Sequence, residues 1–200
     1  PALHIPGGSN RIGPRMTHSL LVGETATKMR QGKDVSTEVR DYKLSGCPGY
    51  GACQFMGTAS TMQCMSEALG MALPGAALAP ASLFDIRRLA RQAGRQIMNL
   101  SKRGIKPSDI LTNEAFENAI TLDIAMGGST NTVLHLLAAA QEAGVNFTMA
   151  DIDRLSRQVP CICKLAPASN KYHIEDCARA GGIFTILGEL ERAGKIHTNA

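Results

Sequence analysis

The sequence predicts a helix-rich α/β fold in which a mainly parallel sheet is flanked by helices. A few short apolar runs alternate with many segments of helical periodicity, and this alternation favours a buried parallel sheet. Hydrophobic residues make up 44% of the chain and aromatic residues only 4%, so we expect helices that pack closely through small side chains. A chain of 200 residues is long enough for one domain with a sizeable core.

The individual elements follow from the spacing of apolar residues and from turn residues. Extended segments are expected at residues 2–5, 76–81 and 161–165. Helices are expected at residues 16–31, 34–44 (in part), 58–71, 83–103, 113–126, 131–143, 152–158, 174–180 and 183–193. Two helix starts carry a capping signature, which is a hydroxyl followed three residues later by an acid: Ser82 with Asp85, and Thr148 with Asp151.

Composition and charge argue against several classes of protein. The net charge of +4 is mild, and the one basic cluster has the spacing of a solvated helix face (Arg87, Arg88, Arg91 and Arg95). Base-stacking aromatic residues are scarce, so we expect no nucleic-acid partner. No apolar run is long enough for a membrane span, no signal peptide is visible, and the cysteine spacing is unlike a secreted disulfide framework. We therefore expect a cytoplasmic protein.

The most informative segment is the loop at residues 46–57, which presents two thiols among glycine and proline residues. Cys47 and Cys53 lie in this loop, and a helix-like run begins directly after it. Backbone N–H groups and the positive end of a helix both stabilise a thiolate, which is a soft ligand for a metal cluster. Cys53 is therefore the main candidate ligand, and Cys47 is either a second ligand or a supporting thiol. The alternative for Cys53 is a buried free cysteine in a tight turn.

The other four cysteines are predicted to be structural. Cys161 and Cys163 are two residues apart on a predicted strand, so they would share one face and serve in packing. Cys64 and Cys177 fall on predicted helices and are expected in the core.

A second candidate site is the start of the helix predicted at residues 131–143. Ser129, Thr130 and Asn131 follow two glycines there, so free N–H groups, hydroxyls and the helix dipole converge. Such a start suits a carboxylate or a phosphate. The alternative is an ordinary N-cap at Ser129. His135 follows on an apolar face and is expected to be a core histidine.

Several motifs resemble those of the dihydroxy-acid and sugar-acid dehydratase (IlvD/Edd) family. The resemblance covers nearly the whole chain. It is carried by Gly51-Ala52-Cys53, by residues 56–62 (MGTASTM), 67–75 (EALGMALPG), 115–119 (AFENA) and 122–136 (LDIAMGGSTNTVLHL), and by residues 151–156, 175–176, 179–182 and 187–190. We therefore expect the chain to be part of the large N-terminal iron–sulfur-binding α/β domain of such an enzyme.

The resemblance implies an iron–sulfur hydro-lyase that converts a 2,3-dihydroxy carboxylate into a 2-keto acid. In this family three cysteines carry the cluster, an open iron acts as a Lewis acid on the leaving hydroxyl, and a nearby Mg²⁺ binds the substrate. Cys53 matches the third cluster cysteine. The resemblance leaves open a 2Fe–2S or a 4Fe–4S cluster and implies a homodimer or larger homo-oligomer.

The chain is expected to be a segment of a longer protein, because it begins without Met and stops just after a predicted helix. By resemblance, two further cluster cysteines and an Asp–Lys pair would precede Pro1. The magnesium glutamate and a base serine would follow Ala200 in a C-terminal domain. No catalytic residue is therefore expected within residues 1–200, and the segment alone is expected to be inactive.

The substrate branch is the least determined part of the resemblance. Thr58-Ala59-Ser60 stands where dihydroxy-acid dehydratases usually show Thr-Ala-Asn, and residues 57–62 look more like the sugar-acid branch. Residues 151–194 look more like the enzyme of branched-chain amino-acid biosynthesis, and this longer run favours a dihydroxy-acid dehydratase. The alternatives are a sugar-acid (aldonate) dehydratase and, from another class, a non-catalytic truncated module.

Overall fold

A computed structural model describes residues 1–14 and 17–200 of the chain. Within these residues the chain forms nine α-helices, and a short 3-10 helix at Pro107–Asp109. The helices are α1 (Leu21–Arg30), α2 (Ser36–Ser45), α3 (Thr58–Ala68), α4 (Phe84–Lys102), α5 (Asn113–Met126), α6 (Asn131–Ala143), α7 (Met149–Ser156), α8 (Ile174–Arg179) and α9 (Ile183–Arg192).

Helix α5 forms the centre of the hydrophobic core. It packs against α3, α7 and α9, and it is apolar around most of its circumference, as expected for a helix with neighbours on several sides. The side-chain oxygen of Thr112 accepts a hydrogen bond from the N–H of Ala115 at its start, and Gly127 ends it in the left-handed conformation (φ 63°). The fully buried core residues include Phe116, Ala119, Ile120, Leu122 and Ala125.

The predicted sheet is wrong for the residues that the structure describes. They contain no extended strand ladder, only three isolated bridges, all parallel: His4 with Ala72, Ser9 with Ala52, and Ser9 with Pro80. The apolar runs are interrupted by proline and glycine before they can form a ladder, and helices bury the core instead. The fold is therefore helix-rich, with locally paired loops in place of the sheet.

The segment at residues 161–165 shows the same error. It forms no bridge in the described structure, because the N–H groups of Ile162 and Cys163 both donate to the Ala125 carbonyl at 3.0 Å, near the end of α5. Cys161 is exposed and Cys163 half-buried, so they do not share one buried face. The segment closes over the end of a helix and does not join a sheet.

Several predicted helix boundaries need correction. The capping signature at Ser82 is wrong: α4 has Leu83 as N-cap without a side-chain cap, and Asp85 pairs with Arg88 at 3.3 Å. The capping box of Thr148 and Asp151 is confirmed, although its helix begins at Met149. The first helix, predicted at residues 16–31, begins only at Leu21, and Met16 itself falls outside the described residues. The other helices lie within about three residues of their predicted positions.

The basic cluster lies on an exposed face of α4, as the helical spacing predicted. All four of its arginines are exposed: Arg87, Arg88, Arg91 and Arg95. Among the described helices we find none with the length and apolarity needed to cross a membrane.

Candidate functional site

The two thiols of the loop at residues 46–57 are accessible. Cys47 and Cys53 are both exposed, and the loop connects the end of α2 to the start of α3. The alternative of a buried cysteine in a tight turn is therefore wrong for Cys53. Gly57, the N-cap of α3, has extended backbone and no side-chain cap, which leaves the positive end of this helix available to an anionic group.

Backbone pairing with the N-terminal segment fixes this loop in place. The Ala52 N–H donates to the Gly8 carbonyl at 2.8 Å, and the Asn10 N–H donates to the Ala52 carbonyl at 2.5 Å. On its other side the same segment receives the Ala81 N–H at the Ser9 carbonyl, at 2.8 Å. We call this three-way pairing of residues 8–10, 51–52 and 79–81 the Ser9 junction. It places the residue before Cys53 in a fixed backbone position.

Two glycines make the Ser9 junction possible. Gly51 has a φ of 114°, and a Cβ atom there would lie 2.7 Å from the Ser9 carbonyl carbon. Gly8 has a φ of 86°, and a Cβ atom would lie 2.5 Å from the Ala79 oxygen. Any other residue would be strained and would overlap backbone at both positions.

The residue after Cys53 is anchored just as firmly. Gln54 is 1% exposed, and its Nε2 donates to the Gly46 carbonyl at 2.8 Å. Its own carbonyl accepts the N–H of Ile174 at 3.0 Å, at the start of α8. The backbone on both sides of Cys53 is therefore held, while its thiol faces solvent.

A pair of buried histidines lies beside this anchor, and no pattern in the sequence predicts it. The rings of His18 and His173 are 5.0 Å apart between centroids, and His173 directly precedes Ile174. Burial lowers the pKa of both imidazoles, and the neighbouring His18 lowers the pKa of His173 further. The pair is therefore expected to be neutral at pH 7.

The start of α6 meets the start of α3 through side-chain hydrogen bonds. The hydroxyls of Thr58 and Ser129 are 2.9 Å apart, and the Asn131 Nδ2 donates to Thr58 Oγ1 at 2.8 Å. The Ser129 N–H donates to Thr61 Oγ1 at 3.1 Å. Because the Ser60 hydroxyl also donates to the Cys53 carbonyl at 3.3 Å, the first turn of α3 touches both candidate sites.

The alternative of a cap at Ser129 is supported in part. The residue before the first helical residue of α6 is Thr130, which makes no side-chain capping bond, but the Ser129 oxygen accepts the Asn131 N–H at 3.3 Å, as a capping side chain does. Thr130 and Asn131 are exposed and Ser129 is half-buried. The predicted residues thus lie together at an accessible helix start whose capping bond comes from Ser129.

A buried carboxyl group lies directly beside this turn, and the sequence analysis did not predict it. Asp123 is 7% exposed, and its Oδ1 has no hydrogen-bond partner among the described residues. Burial raises its pKa to about 7. A side chain at Gly128 would overlap Asp123 Oδ1, so the turn needs glycine here. The available signal was an acid in an otherwise apolar helical stretch directly before two glycines.

The remaining candidates divide between core and surface. Cys64 and Cys177 are buried, as predicted. His135 is exposed, so the expectation of a core histidine is wrong. Its position in the second turn of α6 leaves it facing solvent, away from the packed side of the helix.

The described residues hold only part of what a metal cluster would need. No group of three or more His, Cys, Asp or Glu side chains in the described part of the chain is placed to hold a metal ion. What the loop offers is one or two accessible thiols, Cys53 and Cys47, and soft thiolate donors are the ligands that iron–sulfur clusters use. The donor type fits such a group, and further ligands would have to join these thiols.

Comparison with known protein families agrees with the family that the sequence motifs indicated. Residues 1–200 match the family described as "Dihydroxy-acid/6-phosphogluconate dehydratase N-terminal". The match includes the Ser9 junction, the start of α6, and the loop at residues 46–57 that carries Cys47 and Cys53, which we call the thiol loop. The chain therefore belongs to the dihydroxy-acid/6-phosphogluconate dehydratase family and corresponds to the N-terminal region of that family.

Proposed function

We propose that this chain is part of an iron–sulfur hydro-lyase that dehydrates a 2,3-dihydroxy carboxylate to a 2-keto acid. The observation that carries the proposal is the accessible Cys53 thiol, whose flanking backbone is fixed by the Ser9 junction and by buried Gln54. Membership of a dehydratase family over all 200 residues supports the reaction class.

Cys53 is the residue of this chain that would hold the cluster. When bound, the cluster would supply an open iron that acts as a Lewis acid toward the departing hydroxyl group. Cys47 lies in the same loop with an exposed thiol, so it serves either as a second ligand or as a supporting thiol. The fixed backbone around Cys53 limits the positions that its sulfur can take, which favours a ligand to a rigid cluster.

The start of α6 is the proposed binding site for the acidic end of the substrate. Ser129, Thr130 and Asn131 bring hydroxyl, amide and backbone N–H groups to the positive end of the helix. Of these groups, the Asn131 N–H already donates to the Ser129 hydroxyl oxygen. The bonds of Ser129 and Asn131 to Thr58 orient these donors before a ligand arrives. Their role is to bind and orient a carboxylate, and no proton transfer is assigned to them.

The preferred substrate is the dihydroxy acid of branched-chain amino-acid biosynthesis. The motif run at residues 151–194 supports this branch. Ser60 supports the alternative, a sugar acid, because it stands where dihydroxy-acid dehydratases usually have asparagine. In the structure its hydroxyl donates to the Cys53 carbonyl, so the residue that separates the branches touches the candidate cluster ligand.

The proposal includes parts that these 200 residues do not supply. Further cluster cysteines, the Mg²⁺ ligands and the base that removes the C2 proton are expected on polypeptide outside this segment. We also propose a homodimer or larger assembly in the cytoplasm. A 200-residue fragment expressed alone is expected to be inactive.

The cluster ligand can be tested by mutation in the protein expressed from its complete reading frame and purified without oxygen. We expect Cys53→Ser to abolish both the visible absorbance of the cluster and the dehydration of 2,3-dihydroxyisovalerate or an aldonate. Cys161→Ser is the matched control, because Cys161 is also exposed and lies outside the loop. Cys47→Ser decides between a second ligand and a supporting thiol.

The result that would contradict the proposal is equally plain. If wild-type protein stays colourless and inactive after reconstitution with iron and sulfide, the chain is a non-catalytic module. If Cys53→Ser keeps the full cluster absorbance, the enzyme can still be a dehydratase but Cys53 is not its ligand. The ratio of activity on the two substrates assigns the branch.

A further inference from the structure

Two cysteines outside the candidate site line the same open cavity. Cys163 lies in the segment that closes over the end of α5, and Cys177 lies on α8. Cys163 packs against the hydrophobic core cluster that contains Cys177. Both line a cavity of about 450 Å³ together with apolar side chains such as Leu165 and Ile186. Neither residue has a role in the function proposed above.

The two thiols differ in their access to solvent. Cys163 is half-buried, so a small solute can reach it from the open side of the cavity. Cys177 is 8% exposed and is reached mainly through Cys163. A reactive cysteine needs an accessible thiol, and a partner cysteine beside it allows a disulfide to form.

We propose that Cys163 is a site of oxidation by hydrogen peroxide, and that Cys177 is the cysteine that resolves it as a disulfide. In the first step the Cys163 thiolate attacks one peroxide oxygen, so an S–O bond forms, the O–O bond breaks and hydroxide leaves. In the second step the Cys177 sulfur attacks the sulfenic acid and displaces hydroxide, which takes up the Cys177 proton. Two thiols and one peroxide thus give one disulfide and two water molecules.

The electrostatics of the pair support these separate roles. The neighbouring Cys177 thiol lowers the pKa of Cys163 to about 7, so a large fraction is thiolate at neutral pH. The neighbouring Cys163 and burial raise the pKa of Cys177, so Cys163 is the thiol of the pair that reacts first with peroxide. Burial also raises the pKa of Cys64, and Cys64 is 0% exposed, so it is not a competing site.

Peptide mapping provides the main test. The protein is expressed from its complete reading frame, fully reduced, treated with a small excess of hydrogen peroxide, alkylated and digested with trypsin. We expect residues 158–164 to become linked to residues 172–179 with the loss of two hydrogen atoms. Residues 158–164 also contain Cys161, so the experiment is run in parallel on Cys161→Ser, where a link can only come from Cys163.

Variants of the pair separate the two steps. In Cys177→Ala the reaction should stop at the sulfenic acid of Cys163, which dimedone traps, while Cys163→Ser should form neither the adduct nor the link. Circular dichroism checks that each variant is folded. The mass readout does not depend on dehydratase activity, so it distinguishes failure here from failure of the proposed function.

A second measurement on unmutated protein keeps the inference testable if the variants unfold. The rate at which iodoacetamide alkylates Cys163 should rise with an inflection near pH 7. A disulfide between residues 158–164 and 172–179 that still forms in Cys161→Ser supports the proposal. The proposal is overturned if peroxide forms no disulfide between Cys163 and Cys177, or if the disulfide joins Cys161 to Cys177.

Discussion

The thiol loop and the start of α6 present polar groups to the same end of α3, but they are held by different means. Backbone hydrogen bonds of the Ser9 junction and two glycines hold the loop. Side-chain hydroxyls hold the α6 start, above a buried carboxyl group. Few side-chain changes should therefore disturb the loop unless they fall on a glycine or on the buried Gln54, whereas the α6 start should respond to small changes in side-chain chemistry.

The largest expected effect is on the Ser9 junction. Gly8→Ala places a Cβ atom within 3 Å of three backbone atoms at a φ of 86°, so we expect a loss of about 3–5 kcal/mol in the free energy of unfolding. Gly7→Ala is the control, because nothing lies within 4 Å of its added Cβ, and a change below about 1 kcal/mol is expected. Chemical denaturation measures both, and equal stability of the two variants would show that the pairing is dispensable.

The second effect tests the carboxyl group under the α6 start. Burial raises the pKa of Asp123 to about 7, so the folded state favours the neutral acid. The stability that this provides is full below the unfolded pKa of about 4 and is lost as pH rises through 7. Asp123→Asn does not titrate, so we expect its advantage over wild type to grow between pH 4 and 7, to at most about 4 kcal/mol. A stability difference that stays constant from pH 4 to 8 would contradict the raised pKa.

The smallest effect concerns a single hydroxyl at the same turn. Ser129→Ala removes the contact with Thr58 Oγ1, and we expect a loss of about 1 kcal/mol in stability. Thr130→Ala is the matched control for stability, since Thr130 makes no capping bond, and a change below about 0.5 kcal/mol is expected. In the active enzyme Ser129→Ala should also raise KM or lower kcat while the protein stays folded. Unchanged kinetics would remove Ser129 from substrate binding.

The features that could be predicted are those marked by a local sequence pattern, such as a glycine pair or the helical spacing of apolar residues. The glycine-rich loop with Cys53 and the Gly127-Gly128 turn before α6 follow from the sequence, and the roles of their residues stay predictions. Apart from the start of α1, the helices lie within about three residues of their predicted positions. The parallel sheet was wrong because apolar runs alone do not distinguish a buried strand from a buried loop or helix segment. The cap predicted at Ser82 was wrong because the helix begins one residue later than predicted, at Phe84, so Leu83 takes the N-cap position.

The missed features depend on contacts between residues far apart in the chain. The Ser9 junction joins three segments through backbone atoms, which leave no pattern in side-chain identity beyond the glycines. Thr58 and Thr61 looked like ordinary helix residues, yet their hydroxyls bond the start of α6. Asp123 had a visible signal, but its isolation from any partner could only be recognised in three dimensions.

The Ser9 junction makes the first ten residues part of the working scaffold. If an expressed version of the protein were trimmed past Asn10, the N–H groups of Ala52 and Ala81 would lose the carbonyl oxygens that receive them. A one-residue insertion in this stretch would shift its carbonyl and N–H groups out of register with both neighbouring loops. Protein engineers should therefore treat this stretch as fixed in length, and place tags and truncations elsewhere.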